Sequence, residues 1–103
     1  MELRAAQADV EAISRVYARR FRVERTDDWL FLKLTEEVGE LTQAYLARGG
    51  RSRSEASDEA FRDELADVLA HLMLIAERFG VDLDEALEAK WFRWRHLLDE
   101  ADS

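Results

Sequence analysis

The chain contains no proline and only four glycines among its 103 residues. Proline breaks helices and glycine weakens them, so a sequence that nearly lacks both favours long, unbroken helices. The hydrophobic content of 48%, together with 37% charged residues, is typical of a globular protein rather than a disordered one. A chain of this length is expected to form one core, so we predict a single all-α domain over residues 1–103.

Apolar residues spaced three and four apart predict four helical segments. The first segment begins near Leu3 and ends near Phe21 to Glu24, and the second is capped by Thr26, Asp27 or Asp28 and ends at Gly49 and Gly50. The third segment runs from about Asp58 to Phe79. The fourth follows a capping box of Asp82 and Glu85. The stretch GGRSRSEAS predicts a loop between the second and third segments. An up-and-down bundle of about four helices is the simplest architecture for these lengths.

The last segment is rich in aromatic residues. Its predicted apolar stripe comprises Leu83, Leu87, Trp91, Trp94 and Leu98. Trp91, Phe92 and Trp94 cannot all reach one small core, because adjacent residues of a helix diverge by about 100°. Some of them should therefore meet a second subunit or a nucleobase, and we expect a homo-oligomer.

The second segment carries three glutamates, Glu36, Glu37 and Glu40, in the stretch KLTEEVGEL. On a helix they fall within an arc of roughly 100°, with Trp29 and Lys33 on the same side. The apolar residues of the segment lie on the opposite side: Leu30, Leu34, Val38, Leu41 and Tyr45. Such a cluster is either a solvated acidic face or one half of a metal site, and this stretch alone favours the solvated face.

The third segment strengthens the metal interpretation. Its apolar residues go most of the way round the helix, which predicts that its middle is buried on nearly every side. Glu64 and Asp67 begin that run, three residues apart on one helix. A carboxylate in an apolar environment needs a cation, and five carboxylates on two packed helices would suit a hard divalent ion. Mg²⁺ is the predicted ion, and Mn²⁺ would fit as well.

Composition excludes several other classes of function. The formal net charge of −8 argues against a nucleic-acid polymer or an anionic membrane as partner. The chain has no cysteine, which excludes disulfides, thiolate zinc sites and thiol chemistry. No apolar run approaches the length of a signal peptide or a transmembrane helix, so we expect a soluble, cytoplasmic protein.

The two acidic motifs, Glu36-Glu37-x-x-Glu40 and Glu64-x-x-Asp67, resemble those of the MazG-like, all-α nucleoside triphosphate pyrophosphohydrolases. The flanking residues resemble the family as well, and the similarity covers about residues 26–98. The resemblance implies Mg²⁺-dependent hydrolysis of a (deoxy)nucleoside triphosphate to the monophosphate and pyrophosphate. It also implies a role in clearing surplus or damaged nucleotides, and assembly as a homodimer or homotetramer.

By the same resemblance, roles can be assigned to individual residues. The implied metal ligands are Glu37, Glu40, Glu64 and Asp67. Glu36 is the candidate catalytic residue, which would orient and deprotonate the attacking water or bind a further ion. The candidate substrate-binding residues are Trp29, Lys33 and Lys90, and Lys90 resembles the family's phosphate-contacting lysine. Arg93 and Arg95 lie about one turn beyond Lys90 and could help to bind substrate, and Arg93 is included among the candidates. The family often has an asparagine near the position of Trp94, so this chain departs from the pattern there.

Several of these residues also have structural interpretations. Trp29 either stacks on a base or packs in the core, and Lys33 either contacts substrate or offsets neighbouring glutamates. His71 is a ligand or base, or is a buried histidine bonded to a carboxylate, and the second interpretation is favoured. Loop arginines are usually solvated, although Arg48, Arg51 and Arg53 could close over phosphates instead.

Two alternatives to the general pyrophosphohydrolase stay open. One is a relative with a narrower substrate, such as a dUTP or dCTP pyrophosphatase or a phosphoribosyl-ATP pyrophosphohydrolase. The other is a noncatalytic helical interaction or regulatory domain, in which the acids serve only solubility and oligomer pairing.

Overall fold

The computed structural model describes residues 2–51 and 57–101, and these residues form helices and no strands. The helices are α1 (Leu3–Phe21), α2 (Asp27–Arg48), α3 (Asp58–Arg78), α4 (Leu83–Lys90), a 3₁₀ turn at Phe92–Trp94 and α5 (His96–Ala101). The prediction of an all-α bundle is confirmed. Most of the predicted loop, residues 52–56 with Arg53, lies outside the described residues.

Short polar side chains begin three of the helices. Thr26 Oγ1 accepts from the backbone N–H of Trp29 at 3.0 Å, and Ser57 Oγ accepts from Ala60 at 3.1 Å. Asp82 Oδ1 accepts from the N–H of Glu85 at 3.2 Å, as the predicted capping box requires. Each bond satisfies a backbone N–H that the helix itself leaves without a partner.

Helix α3 is the centre of the bundle, because α2 packs along it, α1 also packs against it, and α4 packs against α1. The buried apolar side chains come from α1, α2 and α3: Ala18, Leu30, Ala47, Met73, Leu74 and Ala76. Leu30 is fully buried. No helix in the described ranges combines the length and the apolar character that crossing a membrane requires.

Gln7 is a buried polar residue that joins α1 to the connection between α3 and α4. Its Nε2 donates to Glu77 Oε1 at 3.3 Å and to the carbonyl of Val81 at 3.1 Å. Its Oε1 accepts from the N–H of Leu83 at 3.0 Å, in the first turn of α4. The side-chain amide of Gln7 therefore joins α1 to α3, to the connection and to the start of α4, with both of its polar atoms hydrogen-bonded.

We expect Gln7→Leu to lower the free energy of unfolding by about 2 kcal/mol, because it removes three part-buried hydrogen bonds that join α1 to the α3–α4 region. Urea denaturation measures the change. Asp9→Asn, at an exposed position of the same helix, is the control and should change stability by less than about 0.5 kcal/mol. An unchanged urea midpoint for Gln7→Leu would contradict the assigned role.

The prediction of one continuous last helix is wrong. Helix α4 ends at Lys90, and the backbone then forms a 3₁₀ turn before α5 begins. Trp91 is 65% exposed and Trp94 is 48% exposed, so the later part of the predicted stripe has no core to pack against in the single chain. A short helix without such packing is marginal in water, which explains why it is interrupted.

The burial predicted for α3 is also wrong for the single chain. Leu65, Leu69 and Leu72 are all exposed, although Met73 and Leu74 are buried. Helices α1 and α2 are the main elements that pack on α3, and they cover only part of its circumference. A nearly continuous apolar sequence was therefore a poor guide to which side of α3 is inside.

Candidate functional site

Three glutamates form what we call the acid cluster, Glu37 and Glu40 on α2 and Glu64 on α3. One carboxylate oxygen of each lies within 4.8 Å of the others. Glu37 and Glu40 are three residues apart on one helix, so both side chains project toward the same part of α3. The packing of α2 on α3 then adds Glu64 from the opposite side of the helix interface.

The orientation of α2 differs from the predicted one around Glu37, although Leu30, from the predicted apolar side, is fully buried. Glu37 is only 8% exposed, whereas Val38 and Tyr45, from the predicted apolar side, are exposed. The side of α2 that carries Glu37 therefore faces α3. This arrangement removes a carboxylate from water, which is unfavourable unless the charge is neutralised.

The raised pKa values of two carboxylates in the acid cluster reflect this unfavourable burial of charge. Burial raises the pKa of Glu37 to about 7, and the charges of Glu40, Asp67 and Glu64 contribute in the same direction. Burial and the charge of Glu40 also raise the pKa of Glu64. Both shifts mean that burial and the neighbouring charges disfavour the ionised form of these side chains, and for Glu37 the shift reaches neutral pH.

Two oxygen atoms in the acid cluster are buried and lack hydrogen-bond partners among the described residues, Glu37 Oε2 and Glu64 Oε2. Buried polar atoms in folded proteins nearly always have a partner. The candidate ligand atoms of the acid cluster are all carboxylate oxygens, which are the ligands that Mg²⁺ and Mn²⁺ prefer. The residues present therefore fit a hard divalent cation.

Asp67 lies near the acid cluster but outside the set of three. Together with Glu37, it lines a groove between α1, α2 and α3, which we call the central groove. The charge of Asp67 also contributes to the raised pKa of Glu37. The spacing of Glu64 and Asp67 thus places a fourth carboxylate close to the other three.

Glu36 is placed differently. It is exposed on α2, and Lys33 Nζ donates to its Oε2 at 3.2 Å. The structure does not bring Glu36 into the acid cluster, because successive residues of a helix diverge by about 100° and Glu37 takes the inward position. Its catalytic assignment stays a prediction.

The central groove has a volume of about 530 Å³, which is large enough for a small organic ligand. Trp29 and Lys33 line it, as do Glu37 and Asp67, so four of the predicted site residues share one groove. The groove is more apolar toward α1, where Val10, Ile13 and Tyr17 form its wall. These α1 residues were missed by sequence reasoning, because their spacing is also that of an ordinary core stripe.

A second and smaller cavity, of about 220 Å³, lies on the other side of the acid cluster. Glu40 and Glu64 line it with Gln43 and Ser57, among others. No motif in the sequence indicated Gln43 or Ser57, because their position in this cavity depends on how α2 packs against the start of α3.

The predicted basic residues of the last segment are not part of the central groove. Lys90 is exposed at the end of α4, and Arg93 lies over the ring of Trp94 at 5.1 Å. In the single chain, neither residue lines the groove or belongs to the acid cluster. Their assignment to substrate binding is therefore still a prediction.

His71 is half-buried in the central groove. Its Nδ1 lies 2.7 Å from the backbone carbonyl of Asp67, not from a carboxylate, so the predicted partner was wrong. A carbonyl can only accept, so Nδ1 carries the proton, and Nε2 is the acceptor of the neutral ring. This bond fixes the tautomer and the orientation of the ring.

The loop arginines that the structure describes make local contacts. Arg48 forms an ion pair with Asp58 at 3.2 Å and lies over the ring of Phe61 at 4.6 Å. Arg51 lies over the ring of Tyr45 at 5.1 Å. Arg48 and Arg51 are both exposed, as the interpretation of solvated arginines expects, and their contacts in the single chain are to nearby residues.

Comparison with known proteins connects this geometry to a family. The model of the MazG-like family matches residues 22–96, which include both helices of the acid cluster. The chain is also 32% identical to dCTP pyrophosphatase 1 from Bos taurus over 99 residues, covering 84% of this chain and 57% of the relative. It therefore spans less than two thirds of the length of that relative, and no solved structure gives a significant match. Since the family model covers most of the chain, the resemblance of the two acidic motifs is confirmed, and the chain belongs to the MazG-like family.

Proposed function

We propose that the chain is a Mg²⁺-dependent nucleoside triphosphate pyrophosphohydrolase, which releases a nucleoside monophosphate and pyrophosphate. The observation that carries this proposal is the pair of buried, unpartnered oxygens of Glu37 and Glu64 in the acid cluster. Family membership and the name of the bovine relative support the same reaction class. Clearance of surplus or damaged nucleotides in the cytoplasm is the cellular role that we propose for this activity.

The proposed metal ligands are Glu37, Glu40 and Glu64, with Asp67 as the fourth. A bound Mg²⁺ would supply positive charge to the phosphate oxygens and lower the pKa of a bound water. The carboxylates hold their charges close together, so they can bind the ion without large rearrangement. Mn²⁺ offers the same preference for oxygen ligands.

The remaining site residues position substrate in this proposal. Trp29 offers an aromatic face in the central groove on which a base can stack, and Lys33 offers a cation beside it. Glu36 is bound to Lys33, so it can orient Lys33 or, once released, accept a proton from the attacking water. Lys90 and Arg93 would contact phosphate only if a second subunit brings them to the groove.

The name of the bovine relative favours one narrower alternative, a preference for dCTP. A dUTP or phosphoribosyl-ATP substrate is the other narrow alternative, and a noncatalytic regulatory domain is the alternative from another class. Incubating the purified protein with Mg²⁺ and a panel of triphosphates distinguishes them, with products identified by chromatography. Formation of monophosphate and pyrophosphate supports the proposal, whereas release of orthophosphate or no product from any triphosphate contradicts it.

We also propose that the chain forms a homodimer or homotetramer. Exposed apolar residues repeat every seven positions along α2, at Phe31, Val38 and Tyr45. A similar stripe runs along α3 and its carboxyl-terminal cap, at Leu65, Leu72 and Phe79. The rings of Phe31 and Phe79 lie 6.0 Å apart, which joins the two stripes at one end. An exposed apolar surface of this kind is typical of a subunit interface.

Sedimentation velocity at micromolar concentration should therefore show a dimer or tetramer. Leu72→Lys should shift the protein toward monomer, because it places a charge in the middle of the α3 stripe. Val16→Lys, at an exposed apolar position of α1 outside both stripes, is the control and should leave the assembly unchanged. A wild-type monomer under these conditions would overturn the proposed assembly.

A further inference from the structure

A shallow, open cavity at the carboxyl-terminal end of α1 is lined mainly by arginines. Four of its six lining residues are Arg15, Arg19, Arg22 and Arg25, and its volume is about 410 Å³. We call it the arginine cavity. It is unusual in a chain whose formal net charge is −8, and none of the residues assigned above to metal, water or substrate lines it.

Two of the arginines are fixed by one carboxylate. Arg25 binds both oxygens of Glu11, at 3.2 Å and 2.5 Å, and Arg15 Nε donates to the same carboxylate at 2.5 Å. Burial alone would raise the pKa of Glu11, but the hydrogen bonds from Arg25 and Arg15 lower it. The side chain of Arg25 is only 12% exposed. One acid thus holds two guanidinium groups in place without neutralising both.

The other two arginines have no such partner. Arg19 and Arg22 are exposed, and neither forms an ion pair with any residue in the described part of the chain. The cavity is therefore lined by two arginines whose charges Glu11 partly neutralises and by two arginines that form no ion pair in the described part of the chain. Together they give an excess of positive charge in one concave place.

The backbone at Arg22 is a separate observation. Arg22 ends α1 with φ of 55°, in the left-handed region that favours glycine. It is the only residue other than glycine with positive φ among the described residues. An arginine here costs stability that a glycine would not, and it supplies a cation to the cavity wall.

We propose that the arginine cavity is a second ligand site, which binds a compact polyphosphate anion without a metal ion. Guanidinium groups donate paired hydrogen bonds that match phosphate oxygens, and the volume is within the range of small-ligand sites. A concave site on an acidic protein suits a small anion better than a nucleic-acid polymer, which the net charge would repel. Val23 lines both this cavity and the central groove, so the two sites are neighbours.

The anion has two sources, inorganic pyrophosphate or the phosphate tail of a nucleotide. Calorimetric titration with pyrophosphate and with a non-hydrolysable triphosphate analogue, both in EDTA, tests the site and distinguishes the sources. Pyrophosphate binding that Arg19→Ala weakens shows that the phosphates alone suffice. Binding of the analogue alone assigns the site to nucleotides if Arg19→Ala weakens it, whereas binding that Arg19→Ala leaves unchanged belongs to the central groove and contradicts the proposal. Because EDTA removes the metal that the acid cluster needs, the result is independent of whether the proposed hydrolysis is correct.

Arg19→Ala and Arg22→Gly should each weaken this binding about tenfold. Arg22→Gly should also raise the melting temperature, since it relieves the left-handed backbone, so a loss of binding cannot be attributed to unfolding. Arg62→Ala removes the same charge from an exposed position of α3 outside the cavity and should bind as the wild type does. Absence of binding of both ligands in EDTA, or equal weakening by Arg62→Ala, would overturn the proposal.

Discussion

Replacing Glu37 with glutamine is expected to lower triphosphate turnover by at least about 100-fold and to raise the melting temperature of the metal-free protein. The two effects have one cause. The carboxylate of Glu37 is buried beside Glu40 and Glu64, where its charge is unfavourable without an ion. Glutamine removes that charge, which stabilises the metal-free fold, and it also removes a ligand. Steady-state hydrolysis and thermal denaturation in EDTA measure both effects.

The control for Glu37→Gln is Glu88→Gln, which removes the same charge from an exposed position of α4. We expect wild-type turnover and a melting temperature close to that of the wild type. If Glu37→Gln kept full turnover, the acid cluster would be a structural feature and the noncatalytic alternative would be favoured.

The companion substitutions Glu40→Gln and Asp67→Asn should also lower turnover by orders of magnitude with the fold intact. Their shared effect would show that α2 and α3 supply oxygens to one ion. The Mg²⁺-induced rise in melting temperature should shrink in both variants, because fewer ligands bind the ion. Normal hydrolysis by Asp67→Asn alone would limit the site to the three glutamates of the acid cluster.

The second prediction concerns pH. In EDTA the protein should lose stability as the pH rises from about 5 to about 8, by an amount of the order of 2 kcal/mol, or roughly 10 °C in melting temperature. Glu37 has a pKa of about 7 in the fold against an ordinary value of 4.5. Between these values the folded state holds more protons than the unfolded state, so raising the pH favours unfolding. The loss is complete above the folded pKa.

Mg²⁺ should oppose this dependence. The ion binds the deprotonated carboxylates, so its stabilising effect grows as the pH rises, and the fall in melting temperature should flatten. Glu37→Gln should flatten the curve in EDTA too, because the main titrating group is gone. A metal-free melting temperature that rises through this pH range would contradict the assigned burial of Glu37.

Sequence alone was sufficient for the features of this protein that depend on local interactions. Thr26 and Asp82 cap helices through hydrogen bonds to residues three positions later, and the apolar spacing predicted the three long helices. The all-α class and family membership followed from such local patterns and from the two acidic motifs. These signals need only neighbours along the chain, so they are present in the sequence before any packing is considered.

Only the tertiary structure decided which helix sides are buried and which charges meet. Periodicity indicates that a helix has an apolar side, but a helix with apolar residues on several sides can pack in more than one way. Val38 is exposed and Glu37 is inside because α2 packs on α3 in one register, which also separates Glu36 from the acid cluster. The interrupted last helix and the arginine cavity likewise follow from packing partners far away in the sequence, because burial and electrostatic energy depend on distances in space.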